Sequence, residues 1–313
     1  MGALLLGVSA AFAHTGVVLP WDTAEFDFAT APPDAWKVLD LHVSVLMGIL
    51  AFCWVYYQAM NGWRVRYGWS DVTGEAWRQR CFYLGQLVLF CSLNGPLHHL
   101  SDYYLFSAHM VQHLLLNLVW APLTVLGLPS WLVEAALSVR ALRSASIFFG
   151  WLPVKFLLYN GVLYFWHIPY MYDLALREHN WHVVEHLGFM ITSVIAWFGL
   201  LCFAPSLPKS HRFAQLLFLF IMTLPMKLLG AIITLADEPI YKGYLQAPRI
   251  WGITPELDQA YGGLLMWLPG GMVLWSSMIY VFAQWIKEER ASQANEVAAL
   301  NASLNAGAKG SAP

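Results

Sequence analysis

Seven runs of mainly apolar residues constrain this chain more than any other feature: Val38–Met60, Cys81–Leu100, Tyr104–Leu128, Ile147–Trp166, His182–Phe203, Phe213–Leu235 and Tyr261–Ile286. At about 20 residues each, they are long enough to cross a hydrocarbon core of about 30 Å as helices. Turn signals such as Asn61-Gly62, Gly127-Leu128-Pro129 and Pro205-Ser206-Leu207-Pro208 separate them. The expected fold is all-α: a polytopic membrane helical bundle of seven transmembrane helices over residues 38–286, with no internal repeat and no second domain.

Composition excludes the competing classes. Charged residues make up 12% of the chain, against about 25% in a typical soluble domain, too few to cover a water-facing surface. The 17 Lys and Arg against 19 Asp and Glu leave no basic excess for nucleic acid. Cys53, Cys81, Cys91 and Cys202 have no paired spacing, so neither a disulfide framework nor a cysteine zinc motif is present.

The ends read differently from the bundle. Residues 1–13 form a short apolar stretch whose Ala11-Phe12-Ala13 has the small-x-small form of a signal-peptidase site; the alternative is an apolar N-terminus lying on the membrane. Residues 14–37 form an outer N-terminal segment, and residues 287–313, rich in Ala, Ser, Asn and Gly, read as a cytoplasmic tail in which a frayed helix end runs into disorder.

Basic residues orient the spans. Arg64, Arg66, Arg78, Arg80, Arg140, Arg143, Lys209, Arg212, Lys287, Arg290 and Lys309 fall on one side, and only Lys37, Arg177, Lys242 and Arg249 on the other. The positive-inside rule puts the N-terminus outside and the C-terminus in the cytoplasm. Lys155 and Lys227 lie within spans; snorkelling is expected for Lys155, and pairing with Glu185 or Asp40 for Lys227.

On this topology ten of the eleven histidines lie toward the outer face, and only His211 is cytoplasmic. His42, His98, His99, His109, His113, His167, His182 and His186 sit at or just inside the outer boundary, drawn from five spans. An intramembrane histidine needs a partner or a wet cavity, and eight at one depth point to a shared site. In His109-Met110-Val111-Gln112-His113 and His182-Val183-Val184-Glu185-His186 the paired imidazoles are four residues apart, on one helix face with Cβ atoms about 6 Å apart. Two facing pairs supply four nitrogen ligands to a small ion, with Glu185 beside them. Imidazole suits copper, zinc, iron and nickel; thioethers such as Met110, Met47, Met171 or Met190 would favour cuprous ion. Were cleavage to follow Ala13, His14 would carry a free amine beside its imidazole, a bidentate copper chelate.

Longer motifs then become recognisable. Gly95-Pro96-Leu97-His98-His99-Leu100-Ser101-Asp102, the His109 to His113 block, Ala121-Pro122-Leu123 and Gly127-Leu128-Pro129 together closely resemble the central signature of the CtaG family of multi-span cytochrome c oxidase assembly factors. Trp166-His167-Ile168-Pro169-Tyr170-Met171-Tyr172-Asp173, the His182 to His186 block and Asp258-Gln259-Ala260-Tyr261-Gly262-Gly263 resemble its later blocks, so that the likeness runs from about Leu41 to Ile286. The resemblance implies a non-enzymatic role in a bacterial inner (plasma) membrane, supplying copper to the histidine-built copper-B site of a haem–copper oxidase. Its implied partners are the oxidase catalytic subunit, a periplasmic copper chaperone and membrane lipid, with no nucleic acid. The metal ligands it supports are His109, His113, His182 and His186, and after them His42, His99, His167, Glu185 and Met110. The resemblance implies an acidic residue after Pro96-Leu97 in many relatives, where this chain has His98, so His98 and the conditional His14 are carried over less directly.

Two other function classes fit parts of the pattern. A haem-binding electron carrier needs axial histidines from facing helices, which an i, i+4 pair on one helix cannot supply to one iron. A copper transporter needs a polar route through the bundle, whereas the histidines lie on one side. Asp258, just before the last run, is placed to close over the metal from the outer loop.

Overall fold

The computed structural model describes residues 35–66, 68, 75–202, 204–208 and 210–310. The stretch 1–13, His14 and most of the segment 14–37 lie outside the described residues. Among the described residues every regular element is helical and none is a strand.

Each apolar run folds as helix, and proline or glycine decides where it breaks. The first run is α1, Val43–Arg66. The second is α2, Ala76–Leu93, followed after Asn94 and Gly95 by α3, Pro96–Tyr103. Pro96 cannot continue a helix begun upstream, and Gly95 takes φ 77°, a conformation open to glycine. The third run is α4, Phe106–Leu126, which passes through a π turn at Leu116–Trp120. Two short helices, α5 (Ser130–Leu137) and α6 (Arg140–Gly150), lead to α7, Leu152–His167. The chain bends by 81° between α6 and α7, so the fourth run is divided at Trp151 instead of crossing straight. Then follow α8 (Pro169–Arg177), α9 (His179–Trp197), α10 (Arg212–Thr234), α11 (Pro255–Trp267) and α12 (Pro269–Gly310).

Four of these helices are long and apolar enough to cross a membrane: α1, α4, α10, and α11 with the first part of α12 as Pro255–Ala299. A fifth is added if the bent α6–α7 pair counts as one span. The remaining runs, in α2 and α9, are diluted by Gln86, His182, Glu185 and His186, whose side chains are all buried. Outward faces carry exposed Met47, Trp54, Leu157, Ile191, Leu228 and Ile279, an apolar coat that suits lipid and not water.

The helix carrying the first histidine pair, α4, is the hub; α2, α3, α9 and α11 all pack on it. Helices α10 and α11 approach closely, since a Cβ on Gly230 would meet the Gly263 carbonyl oxygen at 2.8 Å. The start of α4 is held by a carboxylate from another helix. Asp258 of α11 accepts the backbone N–H of Phe106 at 2.7 Å and of Ser107 at 3.0 Å, satisfying two of the free donors of that helix end and opposing its dipole. Asp258 is therefore a cap and does not close over the histidines. At the π turn, Asn117 accepts Trp197 Nε1 on its carbonyl at 2.9 Å and Ser193 Oγ on its side chain at 2.6 Å, which pins α9 to α4 in one register.

Three expectations change. Lys155 is buried, its Nζ donating to the Phe198 carbonyl at the end of α9 instead of reaching out to the membrane surface. Lys227 stands 4.4 Å over the Trp275 ring instead of pairing with Glu185 or Asp40. The tail expected to be disordered is helical as far as Gly310: residues 288–306 contain neither Pro nor Gly, and Arg212 anchors their start to Glu288 at 2.6 Å.

Replacing Asp258 by Ala should lower the unfolding temperature in detergent, with a loss of about 1 kcal/mol or more, and Asn should recover part of it. Thermal unfolding of the three proteins measures this; identical curves would remove the capping role.

Candidate metal centre

The histidines gather at one end of the bundle because the helices that bear them alternate in direction. His42 precedes α1, His98 and His99 follow the end of α2, His109 and His113 open α4, His167 ends α7, and His182 and His186 open α9. Gly95, locked by its N–H to the Asp40 carbonyl at 2.6 Å, turns α3 in over this end.

Within each pair the imidazoles lie against each other, stacked at 24° for His109 and His113 and tilted at 55° for His182 and His186. The Nε2 atoms of His109 and His113 lie 2.5 Å apart, and those of His182 and His186 lie 2.6 Å apart. The asparagine lock between α4 and α9 sets the pairs against each other, with ring centres 5.6 Å apart for His109 and His182 and 5.1 Å for His113 and His186. Glu185 points between them, its Oε1 3.8 Å from His109 Nε2 and 3.6 Å from His113 Nε2. Two overlapping trios result, His109–His182–His186 and His109–His113–Glu185, each with one ligand atom per residue within 4.8 Å of the others. All five residues are buried.

A line of polar contacts leads outward from this cluster. Gln112 Nε2 donates to the Ser92 carbonyl at 2.7 Å, which fixes the amide orientation. The same nitrogen faces His98 Nδ1 at 3.1 Å; Nδ1 is thus the acceptor and His98 carries its proton on Nε2. Asp102 Oδ2 lies 3.3 Å from His98 Nε2 and 3.8 Å from His182 Nδ1, near enough for electrostatic attraction but outside hydrogen-bond geometry. One carboxylate thus stands between His98 and the inner cluster.

An aromatic roof closes the cluster on the loop side. Tyr172 lies 5.4 Å from His109 and 4.1 Å from Tyr241, which stacks on Phe106 at 4.9 Å. Tyr244, from the 3₁₀ turn Lys242–Leu245, donates to the Ser101 carbonyl at 2.7 Å. Toward the bundle middle, a cavity of about 20 Å³, room for a single small ion or water, is lined by His113 and His167 with Met110, Met226 and Met266.

The structure sorts the residues expected from sequence. His109, His113, His182, His186 and Glu185 form one site. His167 lies beneath it, its Nδ1 donating to the Leu163 carbonyl at 2.7 Å, and shares only the cavity with His113 and Met110. His98 and His42 belong to a neighbouring group with Asp40. His99 turns away toward Tyr103, at 5.0 Å, and Asp40. Of the other thioethers, Met47 is exposed and Met190 lines a side groove. No cysteine joins the cluster among the described residues. Sequence reasoning missed Asp102, Met226 and Met266. The His98-x-x-x-Asp102 spacing was a usable signal for the first; the two methionines come from other helices and had none.

The profile of the cytochrome c oxidase caa3 assembly factor family matches residues 54–288 of this chain, three-quarters of its length and every residue of the inner cluster. The chain belongs to that family. An uncharacterized protein of Mycobacterium leprae (strain TN) is 23% identical over 230 residues, 68% of this chain and 34% of the relative, so the chain spans about a third of that protein's length. No solved structure matches. Within this member of the family, Asp40 and His42 precede the matched region while His98 lies inside it.

If the inner cluster holds a metal ion, Asp102→Asn should weaken its binding by about 10-fold, since the carboxylate would orient His182 without itself being a ligand. A chelator-competition titration against wild type reads this; unchanged affinity would leave Asp102 with a purely structural role.

Proposed function

We propose that this assembly factor holds copper in transit at His109, His113, His182, His186 and Glu185 and passes it to the copper-B site of the oxidase catalytic subunit. The observation that carries the reading is the convergence of two i, i+4 imidazole pairs and one carboxylate in a single buried spot. The donor set supports copper: imidazoles surround the spot, and the adjoining cavity adds the thioethers of Met110, Met226 and Met266, which suit cuprous ion. Copper here is cargo and not a resident cofactor. Permanent metal-binding histidines almost always donate their second ring nitrogen to a fixed partner, whereas Nδ1 of His109, His113 and His186 has no hydrogen-bond partner among the described residues.

In this reading the bundle crosses a bacterial plasma membrane seven times, with the histidine end outside and the arginine-rich end in the cytoplasm, and the protein catalyses no reaction of its own. A periplasmic copper chaperone and the oxidase are its partners. A haem carrier fits the site less well, because closely packed imidazoles and the Phe189 ring, 4.6 Å from His113, fill the space a flat macrocycle needs. A transporter fits less well too. Below the cluster Leu118, Tyr159, Trp197, Phe218, Leu219 and Met222 are buried in one apolar core and leave a cavity of only about 10 Å³ between them.

The test is metal analysis of purified wild type beside His109→Ala/His113→Ala, with oxidase copper measured in the same cells. Copper should follow the wild-type protein, fall in the variant, and be missing from the oxidase. Equal metal in two monodisperse proteins, or normal oxidase copper, would sink the proposal.

A further inference from the structure

A second group of ligands stands at the mouth of the bundle. Asp40, His42 and His98 each bring one ligand atom within 4.8 Å of the others. The local fold builds this group. The extended segment before α1 is stapled to the break between α2 and α3 at two points: the Asp40 carbonyl accepts the Gly95 N–H at 2.6 Å, and the His42 N–H donates to Asn94 Oδ1 at 2.8 Å. With the backbone so held, the His42 ring stands edge-on to His98 at 4.4 Å, and its Nε2 lies 3.8 Å from Asp40 Oδ1. Asp40 and His42 are partly exposed, while His98 is buried. One side of the group thus meets the outside and the other meets the core.

What lies behind the group gives it a use. Ring centres run from His42 to His98 at 4.4 Å, to His182 at 6.2 Å and to His109 at 5.6 Å, an unbroken file of imidazoles into the inner cluster. A groove of about 280 Å³ between α1, α2 and α9 runs alongside, with His42, His98, His179, His182 and His186 on its wall and otherwise mainly aliphatic residues. Binding of an ion at His98 Nε2 requires the neutral ring to carry its proton on Nδ1 instead, on the side of the Gln112 amide.

We propose that Asp40, His42 and His98 form a second copper site, an outer loading station that captures the ion and hands it through His98 and His182 to the inner cluster. This rests on the reading of the inner cluster as a copper carrier, and adds to it a separate site, a direction of travel and Asp40 as a ligand. The carboxylate at the mouth gives the station a negative charge with which to attract a cation, while aromatic rings cover the loop side of the inner cluster.

The test uses the full chain in detergent or nanodiscs, titrated anaerobically with Cu(I) under competition from a chromogenic chelator. Wild type should take two equivalents. Asp40→Asn/His42→Ala should take one, and fill it about tenfold more slowly, because the attracting charge is gone. His109→Ala/His113→Ala should also keep one, and combining the two pairs should leave none. His42→Gln, close in size and still polar, guards against misfolding and should lose the outer equivalent alone. Wild-type stoichiometry and rate in both Asp40→Asn/His42→Ala and His42→Gln would overturn the loading station and leave the inner site standing. Loss of all copper in the inner variant would overturn it as well. If the inner variant binds as wild type does, the carrier reading falls, and the outer site is judged by its own variants.

Discussion

Two hydrogen bonds to one asparagine hold the central arrangement. The π turn at Leu116–Trp120 shifts the carbonyl ladder of α4, and Asn117 uses its free acceptors on Ser193 and Trp197 of α9. Inside an apolar bundle such bonds have no water to compete with them, and leaving their partners unmatched would be costly. They therefore fix how far α9 can slide along α4. His113 lies one turn from Asn117 and His186 two turns from Ser193, so the same bonds decide which imidazoles meet. Asp258, holding the first turn of α4 from a third helix, makes the other end of that register equally definite.

Around this register the protein keeps its polar chemistry at one end. Four imidazoles and a carboxylate are buried together, an arrangement that aliphatic packing alone would not tolerate. Their surroundings offset the cost in three ways. The two imidazoles of each pair approach through their Nε2 atoms, Gln112 bonds both the Ser92 carbonyl and His98 while Asp102 lies close to His98 and His182, and an aromatic roof of Phe106, Tyr172 and Tyr241 covers the loop side. The opposite end has a different character. There Arg78 donates to the carbonyls of Leu126 and Leu128, and Trp131 to Glu75, bonds that tie loops together and bring no metal ligands to one point.

Much of this was legible in the chain, and the limits are instructive. The i, i+4 spacing of His109 with His113 and of His182 with His186 needs only helical geometry to place each pair on one face, so those residues could be named from the sequence. Asp258 and Lys155 could not be assigned, because their partners are backbone groups of helices distant in sequence. The same holds for Lys227, which meets an indole ring where a carboxylate was expected. His99 shows a subtler failure. It is adjacent to His98 and equally suited to ligation, but on a short helix consecutive side chains diverge by about 100°, and only one of them faces inward.

The sequence by itself determined the class of molecule, the helices and the chemistry available to them, because apolar runs, prolines and four-residue spacings act locally. Helix ends followed the same local logic at Gly95, Pro96 and Pro169. Tertiary structure alone decided which donors share a point. It divided eight histidines into an inner cluster, an outer group with Asp40, a lone His167 against its thioethers and an outlying His99, and it brought Asp102 between two of them. The physical reason is that the relative rotation and sliding of helices depends on a few bonds and close contacts between distant residues, which no local pattern encodes.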